Sequence, residues 1–443
     1  MSQRWVGLFF CGILSACQFS SFSTGSPPLT LASYRSPLSR SAQLDAAGKK
    51  GLAAVPGEYL VRLRPGRSLN LRNLSSAVKT ARSLGSPTFP YALVKLQSEE
   101  QISLQAQITA LQADPAVESL EPNGLFALPT DQFAPLPQTQ AIRSTFPNDP
   151  LFTQQYAHAL TQSLKGWEIQ KGKTELVLAV LDTGVDTHHP DLAAKLLPGY
   201  NTVDHLPEVH DKHGHGTHCA GVAGALLNNA EGGAGFAPQV RLLPVQVFST
   251  GGFTSFADVA EGIVWATDQG ARILSMSLGS RTLTQVLEDA VVYAQQRNVL
   301  LVAGMGNDGH QRERPIKSYP AALPGVLAVG ATDQADQLAF FSQVGPWHSV
   351  TAPGIQIVSS LPTYASAIPG LSYGPMSGTS MATPAVAGLA ALVSSQFPQL
   401  DAAGIKAQIE ATADDLGSQG FDNLYGHGRI NVYRALQALA PTH

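Results

Sequence analysis

Cysteine is nearly missing from this chain: three residues among 443, at positions 11, 17 and 219, too few and too unevenly placed for a disulfide framework. Charge is also scarce. Only 14% of residues are Asp, Glu, Lys or Arg, the formal net charge is -4, and no run is rich in Lys and Arg. That balance gives no basic field of the kind nucleic acid demands, and it excludes that class of partner. The apolar run at residues 5–14 is too short to span a bilayer. No HExxH is present to mark a zinc site with its own general base, and LDTG occurs once, whereas carboxylate-dyad chemistry needs two such loops. What remains is plentiful apolar material: 44% of a chain of this length suffices for a large core and a smaller module besides.

The first seventeen residues, MSQRWVGLFFCGILSAC, carry one early arginine, an apolar run and a small-residue stretch, the pattern of an export signal. LSAC at 14–17 resembles the lipobox of bacterial lipoproteins. That resemblance implies cleavage before Cys17, acylation of its thiol and anchoring to a membrane of the cell envelope. Cys219 is then left as the sole free thiol. Residues 18–56 read as a Ser- and Pro-rich tether. Residues 57–128 alternate strand and helix signals: GEYLVRLRPG as a strand, 69–85 as a helix, YALVKLQ as a strand, 102–114 as a helix, and VESLEPNGLFAL as strands. They predict a compact α+β module. Residues 129–147, rich in Pro, Gln and Thr, read as an exposed, cleavable connector.

From 148 to 440 the pattern changes. Short, continuously apolar runs (LVLAVLDTGV, VRLLPVQVF, ARILSMSLG, NVLLVAGMGN, GVLAVGATD) alternate with segments of helical period. Strands that are apolar on both faces belong in a sheet covered on both sides, so an α/β architecture with a central, mostly parallel sheet is expected. In such sheets, sites form beyond the carboxyl ends of strands.

Three motifs fall there: LDTGVDTHHPDL with Asp182, DKHGHGTHCAG with His215, and SGTSMATPAVAG with Ser380. In the order Asp, His, Ser they resemble the subtilases, the subtilisin-like serine peptidases. The resemblance covers nearly all of 147–440 and implies a three-layer fold and an endopeptidase acting on polypeptides. Chemistry supports the trio independently. A serine hydroxyl needs a base, an imidazole titrates in the right range, and a carboxylate on the other ring nitrogen fixes its tautomer. Asn307, after an apolar strand, resembles the family's side-chain donor to the oxyanion. The resemblance also implies cleft walls from Ser277, Leu278 and Gly279 and from Gly304, Met305 and Gly306. Gly251 and Gly252 form the opposite edge, and Ser318 lies near the pocket floor. Asp308 is placed at the rim.

Cys219 resembles the thiol of the thermitase- and proteinase K-like branch, beneath the catalytic histidine. Asp149, Asp191 and the Asn229 side chain, with carbonyls of Leu226, Glu231 and Gly233, resemble that branch's calcium site and imply calcium as a structural cofactor. His205, His210, His213 and His218 crowd around His215 but fit no standard zinc spacing. His188 and His189 read as turn or surface residues. Finally, residues 57–128 resemble the ferredoxin-like inhibitory propeptide of subtilases. They imply a zymogen with its own propeptide as intramolecular inhibitor, and cutting between about 128 and 148 then separates enzyme from lipid anchor. A peptide-binding relative without activity is the alternative, and the presence of all three motif residues argues against it.

Overall fold

The strand β6 (Val177–Asp182), VLAVLD, shows why this chain makes a sandwiched sheet. Leu178 and Val180 enter one hydrophobic cluster while Ala179 and Leu181 enter another, so a period of two feeds two cores from one unbroken apolar run. β11 (Leu300–Gly304) behaves identically, with Leu300 and Val302 on one side and Leu301 and Ala303 on the other. The structure, a computed structural model, describes residues 53–67, 78–96, 103–133, 147–309 and 315–439. The export signal, Cys17, most of the tether and connector residues 134–146 lie outside the described residues.

The large unit holds a seven-stranded sheet in the order β13 (Val350–Pro353), β12 (Leu327–Thr332), β11, β10 (Ile273–Met276), β6, β8 (Arg241–Gln246), β7 (Tyr200–Asn201). Every strand pair in it is parallel. On one face lie α4 (His215–Gly224) and the long α7 (Thr379–Gln396). On the other lie α5 (Phe256–Asp268) and α6 (Gln285–Gln296). The short helices α2 (Tyr156–Leu160) and α3 (Ser163–Ile169) precede the sheet, and α8 (Ala402–Ala411) and α9 (Val432–Gln437) close the chain. Among the described residues no helix is long and apolar enough to cross a membrane.

The small unit is built from β1 (Ala54–Leu63), β2 (Val78–Ser83), β3 (Tyr91–Leu96), α1 (Leu104–Ala113) and β4 (Val117–Ala127). β1 already begins at Ala54, inside the stretch expected to be tether. The helix expected over 69–85 does not extend through its second half: Val78–Ser83 is an edge strand paired antiparallel with β3. Its residues are half-buried or exposed, and the neighbouring strand, not local propensity, decides their state. One face of this sheet makes a core of its own from Val61, Val94, Leu96, Leu111 and Val117. The other face gives Leu60, Leu84, Phe89 and Tyr91 to the cluster beneath α5 and α6. At about 1.5–3 kcal/mol per fully buried large apolar side chain, that contact is a main source of docking energy.

Polar contacts fix the orientation. The Glu121 carboxylate accepts from Val286 N (3.0 Å) and Gln285 N (3.3 Å) at the start of α6, and Asn123 Oδ1 accepts from Ala257 N (3.1 Å) at the start of α5. Both cap otherwise unpaired helix amides. Arg82 pairs with Glu261 at 2.5 Å and Arg62 with Asp289 at 3.1 Å. β4 then adds β9 (Phe253–Ser255) to the small sheet, which becomes β2-β3-β1-β4-β9. Past β4 the chain runs over the carboxyl ends of the large sheet, where β5 (Gln132–Phe133) joins β15 (Tyr373–Ser377) beside β14 (Ile357–Ser360). The start of the connector is therefore seated in the cleft rather than freely exposed.

Candidate active site

Asp182 is the last residue of β6 and His215 the first of α4, and they meet because the intervening loop is tied down by one buried carboxylate. Asp211 Oδ1 accepts from Thr183 Oγ1 (2.8 Å), His213 N (3.1 Å) and Gly214 N (2.7 Å), and its Oδ2 accepts from Thr217 N (2.8 Å) and Thr217 Oγ1 (2.6 Å). Close approach also demands glycine at 216, where a Cβ would lie 2.1 Å from the Gly184 carbonyl oxygen. Asp182 Oδ1 then accepts from Thr183 N (2.7 Å) and from His215 Nδ1 (2.6 Å). Both side chains are buried, at 1% and 2% exposure. Burial alone pulls the His215 pKa down, but the Asp182 carboxylate, with further help from Cys219 and Asp131, holds it well above the ordinary histidine value.

Ser380 is the second residue of α7. Pro384, four residues on, has no N–H, so the Ser380 carbonyl is free of the helix ladder and accepts from Ser277 Oγ (2.8 Å) and Cys219 Sγ (3.5 Å) instead. This ties the serine to the end of β10 and to α4. The Ser380 hydroxyl itself is buried and has no hydrogen-bond partner among the described residues. Asn307 follows β11, and its amide is locked: Oδ1 accepts from Thr379 N (3.0 Å) and Thr379 Oγ1 (2.9 Å), leaving Nδ2 to point into the cleft. Thr379 and Asp211 are positioning residues that sequence reasoning missed. Both sit inside the motifs quoted above, so the signal was a buried-type polar residue beside a chemical one.

Cys219 lies under the pair as expected, with Sγ 3.9 Å from His215 Nδ1. Burial raises its thiol to about 11, so it stays protonated at neutral pH. Asp182, His215 and Cys219 form a close grouping of potential metal ligands, but one hydrogen-bonded pair and a protonated thiol make it up. The other histidines diverge. His205 lies near Glu261, His210 stacks on Tyr364, and His218 is buried with Nε2 on the Ile357 and Gly374 carbonyls, its pKa depressed by burial to about 3. His188 is exposed, whereas His189, expected as a turn or surface residue, is fully buried in a turn whose His189 N donates to the Asp186 carbonyl. Its Nε2 faces the Ser372 carbonyl at 2.8 Å and its Nδ1 accepts from Asp191 N.

The residues that the resemblance places on the cleft walls sit as follows. Ser318 Oγ lies 2.1 Å from where a Cβ on Gly279 would sit and 3.6 Å from one on Gly306, so these three border one gap. Gly304 is closed off by Thr383 and Thr379. Leu278 and Met305 differ from expectation in that their side chains are buried in the core under α5 and α6, so they line the wall through backbone alone. Asp308 is paired with Arg281 at 2.8 Å, and both side chains are largely exposed. Across the cleft, Gly251, Gly252 and His213 border a cavity of about 230 Å³ shared with residues 127–131.

The cleft also holds a group that sequence reasoning did not anticipate. Asp131 Oδ2 lies 2.8 Å from His215 Nε2, an ion-pair contact without hydrogen-bond alignment, and Asp131 Oδ1 accepts from Asn307 Nδ2 at 2.8 Å. Asn307 Nδ2 also reaches the Thr130 carbonyl at 3.2 Å.

Away from the cleft, the candidate calcium ligands are neighbours. Asp149 accepts from Asn228 N and Asn229 N, Asn229 Nδ2 donates to Asp191 Oδ1 at 2.7 Å, and Leu226 N and Gly233 N reach Asp191. Glu231 is exposed, and its N–H bonds Asn229 Oδ1. Desolvation raises the pKa of both buried carboxylates, Asp149 and Asp191, and each adds to or feels the other's charge. No Lys or Arg pairs with either among the described residues. Two buried carboxylates without a Lys or Arg partner among the described residues, beside the Asn229 amide, offer hard oxygens of the kind calcium takes.

Comparison with known proteins agrees with this geometry. The subtilase family model matches residues 173–428. The chain is 37% identical over 395 residues to the thermophilic serine proteinase of Bacillus sp. (strain AK1), covering 89% of this chain and 90% of that protein. To thermitase of Thermoactinomyces vulgaris it is 41% identical over 292 residues, 66% of this chain and 99% of that one. Among solved structures it is similar to fervidolysin of Fervidobacterium pennivorans, described as a keratinolytic enzyme related to subtilisin. The TM-score is 0.75 at 28% identity, covering 89% of this chain and 62% of that one. The chain therefore belongs to the subtilase family and is a subtilisin-like serine proteinase.

Proposed function

We propose that this proteinase is an exported endopeptidase made as a zymogen, with Ser380 as nucleophile, His215 as general base, Asp182 as its orienting carboxylate and Asn307 as oxyanion donor. The observation that carries the reading is the His215 ring, held at Nδ1 by Asp182 in a buried 2.6 Å hydrogen bond while Nε2 lies 2.8 Å from Asp131 of the chain that crosses the cleft. A ring fixed in that tautomer accepts the Ser380 proton as Oγ attacks a substrate carbonyl, then returns it to the leaving amine. The acyl-enzyme on Ser380 is released by water. Developing negative charge on the carbonyl oxygen meets the Asn307 amide, already aimed by Thr379.

The 57–128 unit acts as an inhibitory propeptide: its sheet docks on α5 and α6 and its tail lies in the cleft. Lipidation of Cys17 tethers the precursor, and cutting after the propeptide frees the catalytic unit from that anchor. An extended substrate pairs along Ser277–Gly279 and Gly251–Gly252, with an apolar or aromatic side chain between the glycine walls. Asp149, Asp191 and the Asn229 side chain, with carbonyls of Leu226, Glu231 and Gly233, would hold calcium, which would stiffen the loop after α4. A chelator is expected to lower the melting temperature, and an unchanged value removes the ion from the account. The test of the whole reading is to incubate purified precursor with and without a serine-directed inhibitor and assay an unfolded protein and a simple lipid ester. Inhibitor-sensitive shortening of the chain and cleavage of the protein alone are expected. Ester cleavage without protein cleavage overturns it.

A further inference from the structure

The chain from β4 to β5 crosses the cleft in the manner of a substrate. Upstream, Leu125–Ala127 pair with β9 and Leu128 N donates to the Gly252 carbonyl at 2.9 Å. Downstream, Gln132 and Phe133 pair with Ser377 and Met376, the residues just before the Gly378–Ser380 turn. Between these two anchors only one peptide bond has its carbonyl at the Asn307 amide, that of Thr130. The next side chain, Asp131, is turned back over the centre rather than out to water, with 4% of it exposed. Its Oδ1 fills the space that a Cβ on Gly378 would take, at 1.9 Å.

We propose that Thr130–Asp131 is the bond this enzyme cuts first in its own chain, and that the Asp131 carboxylate delays the cut by occupying the two groups it requires. This rests on the serine-peptidase reading above. In the cut, the Ser380 hydroxyl adds to the Thr130 carbonyl carbon and its proton moves to His215 Nε2. The C–N bond then breaks and that proton passes to the Asp131 nitrogen, leaving Thr130 as an ester on Ser380. One water hydrolyses the ester through the same ring, giving a Thr130 carboxylate, an Asp131 amine and the original Ser380.

Asp131 opposes the first step twice over. With carboxylates at both ring nitrogens, Asp182 at 2.6 Å and Asp131 at 2.8 Å, the imidazolium is the favoured form, and an imidazolium cannot take the serine proton. Its other oxygen takes one of the two Asn307 Nδ2 hydrogens in the shorter bond, 2.8 Å, and leaves the Thr130 carbonyl the longer one, 3.2 Å. Meanwhile the Ser380 hydroxyl has no hydrogen-bond partner among the described residues. The arrangement is self-terminating: once the bond is cut, Asp131 becomes a chain end and is free to leave with the new N-terminus.

The experiment follows conversion of purified full-length precursors carrying Asp131→Ala, Asp131→Asn, Ser380→Ala or no change, with N-terminal sequencing of the earliest product. The unaltered chain is expected to yield residue 131 as its first new N-terminus. Asp131→Ala is expected to convert at least tenfold faster at the same bond, and Ser380→Ala not at all. A first cut elsewhere, or both Asp131 variants converting at or below the unaltered rate, overturns the proposal. A second readout needs no turnover: in a pH titration of the Ser380→Ala chain followed by nitrogen NMR, the His215 ring should lose its proton at lower pH once Asp131→Ala is added. An unchanged titration of the ring contradicts the latch. Casein hydrolysis by the processed enzyme separates the two levels. If casein is cut while these results fail, the latch alone is wrong, and if nothing is cut under any condition the peptidase reading fails first.

Discussion

The two carboxylates that flank His215 come from regions built in opposite ways. Asp182 ends a strand buried on both faces and is fixed by its own backbone neighbour, by the Asp211 loop and by two hydrophobic clusters. Asp131 hangs from a unit whose private core is small, and it reaches the ring through a few strand-edge hydrogen bonds. In the mechanism proposed above, the permanent partner and the removable one thus differ in how much of the fold must be undone to displace them. The difference assigns them their roles more clearly than their similar distances do.

Mutations should expose that asymmetry in order of size. Asp182→Asn is expected to cost about 10,000-fold in kcat on a peptide substrate, because the ring loses its tautomer control and the strand cannot shift to compensate. Steady-state kinetics on the processed enzyme checks it, and a loss below about tenfold contradicts the assignment. Asn307→Ala should lower kcat by about 100- to 1,000-fold with little change in KM. A KM effect alone would mean that Asn307 only binds.

The large unit should also be the acid-sensitive one. Burial depresses His158 and His348 to about 4 and His218 to about 3. A histidine whose folded value lies below its unfolded value near 6.5 takes up its proton more readily when unfolded. Its neutral burial therefore costs nothing above that value, and stability falls as pH drops from about 6.5 toward 4. The melting temperature of the processed enzyme should decline steadily across that window, and a flat profile would place these rings elsewhere. His215 runs the other way while Asp131 is docked. Its raised value, set against burial by Asp182 and Asp131 and felt by Cys219, His213 and His218, favours docking at lower pH, and the gain is lost as pH rises through that value. The smallest effect is expected at the rim of the small unit. Glu121→Ala removes the cap on α6 and should weaken docking by about 1 kcal/mol, seen as modestly faster maturation.

Sequence patterning made the large unit legible because its strands are buried on both faces and its chemistry sits in three local motifs. The resemblance to the subtilases, carried by the motifs around Asp182, His215 and Ser380, named those three residues and Asn307. The small unit was less legible where tertiary pairing decides: VKTARS is a strand because β3 lies beside it, not because of its composition. His189 shares its motif with the exposed His188, and only the position of Ser372 shows which of the two turns inward. Asp131 was hidden for a further reason. It lies in a Pro- and Gln-rich connector with no period, and its meaning comes entirely from docking of a unit more than a hundred residues away from Ser380 in sequence.

The central claim, a serine made nucleophilic by His215 and covered by the chain's own tail, is tested most directly by fluorophosphonate labelling followed by peptide mass spectrometry. The label should appear on Ser380, stoichiometrically in the processed enzyme and only slowly in the full-length chain. Labelling that never reaches Ser380, or that proceeds equally fast in both forms, would contradict the account.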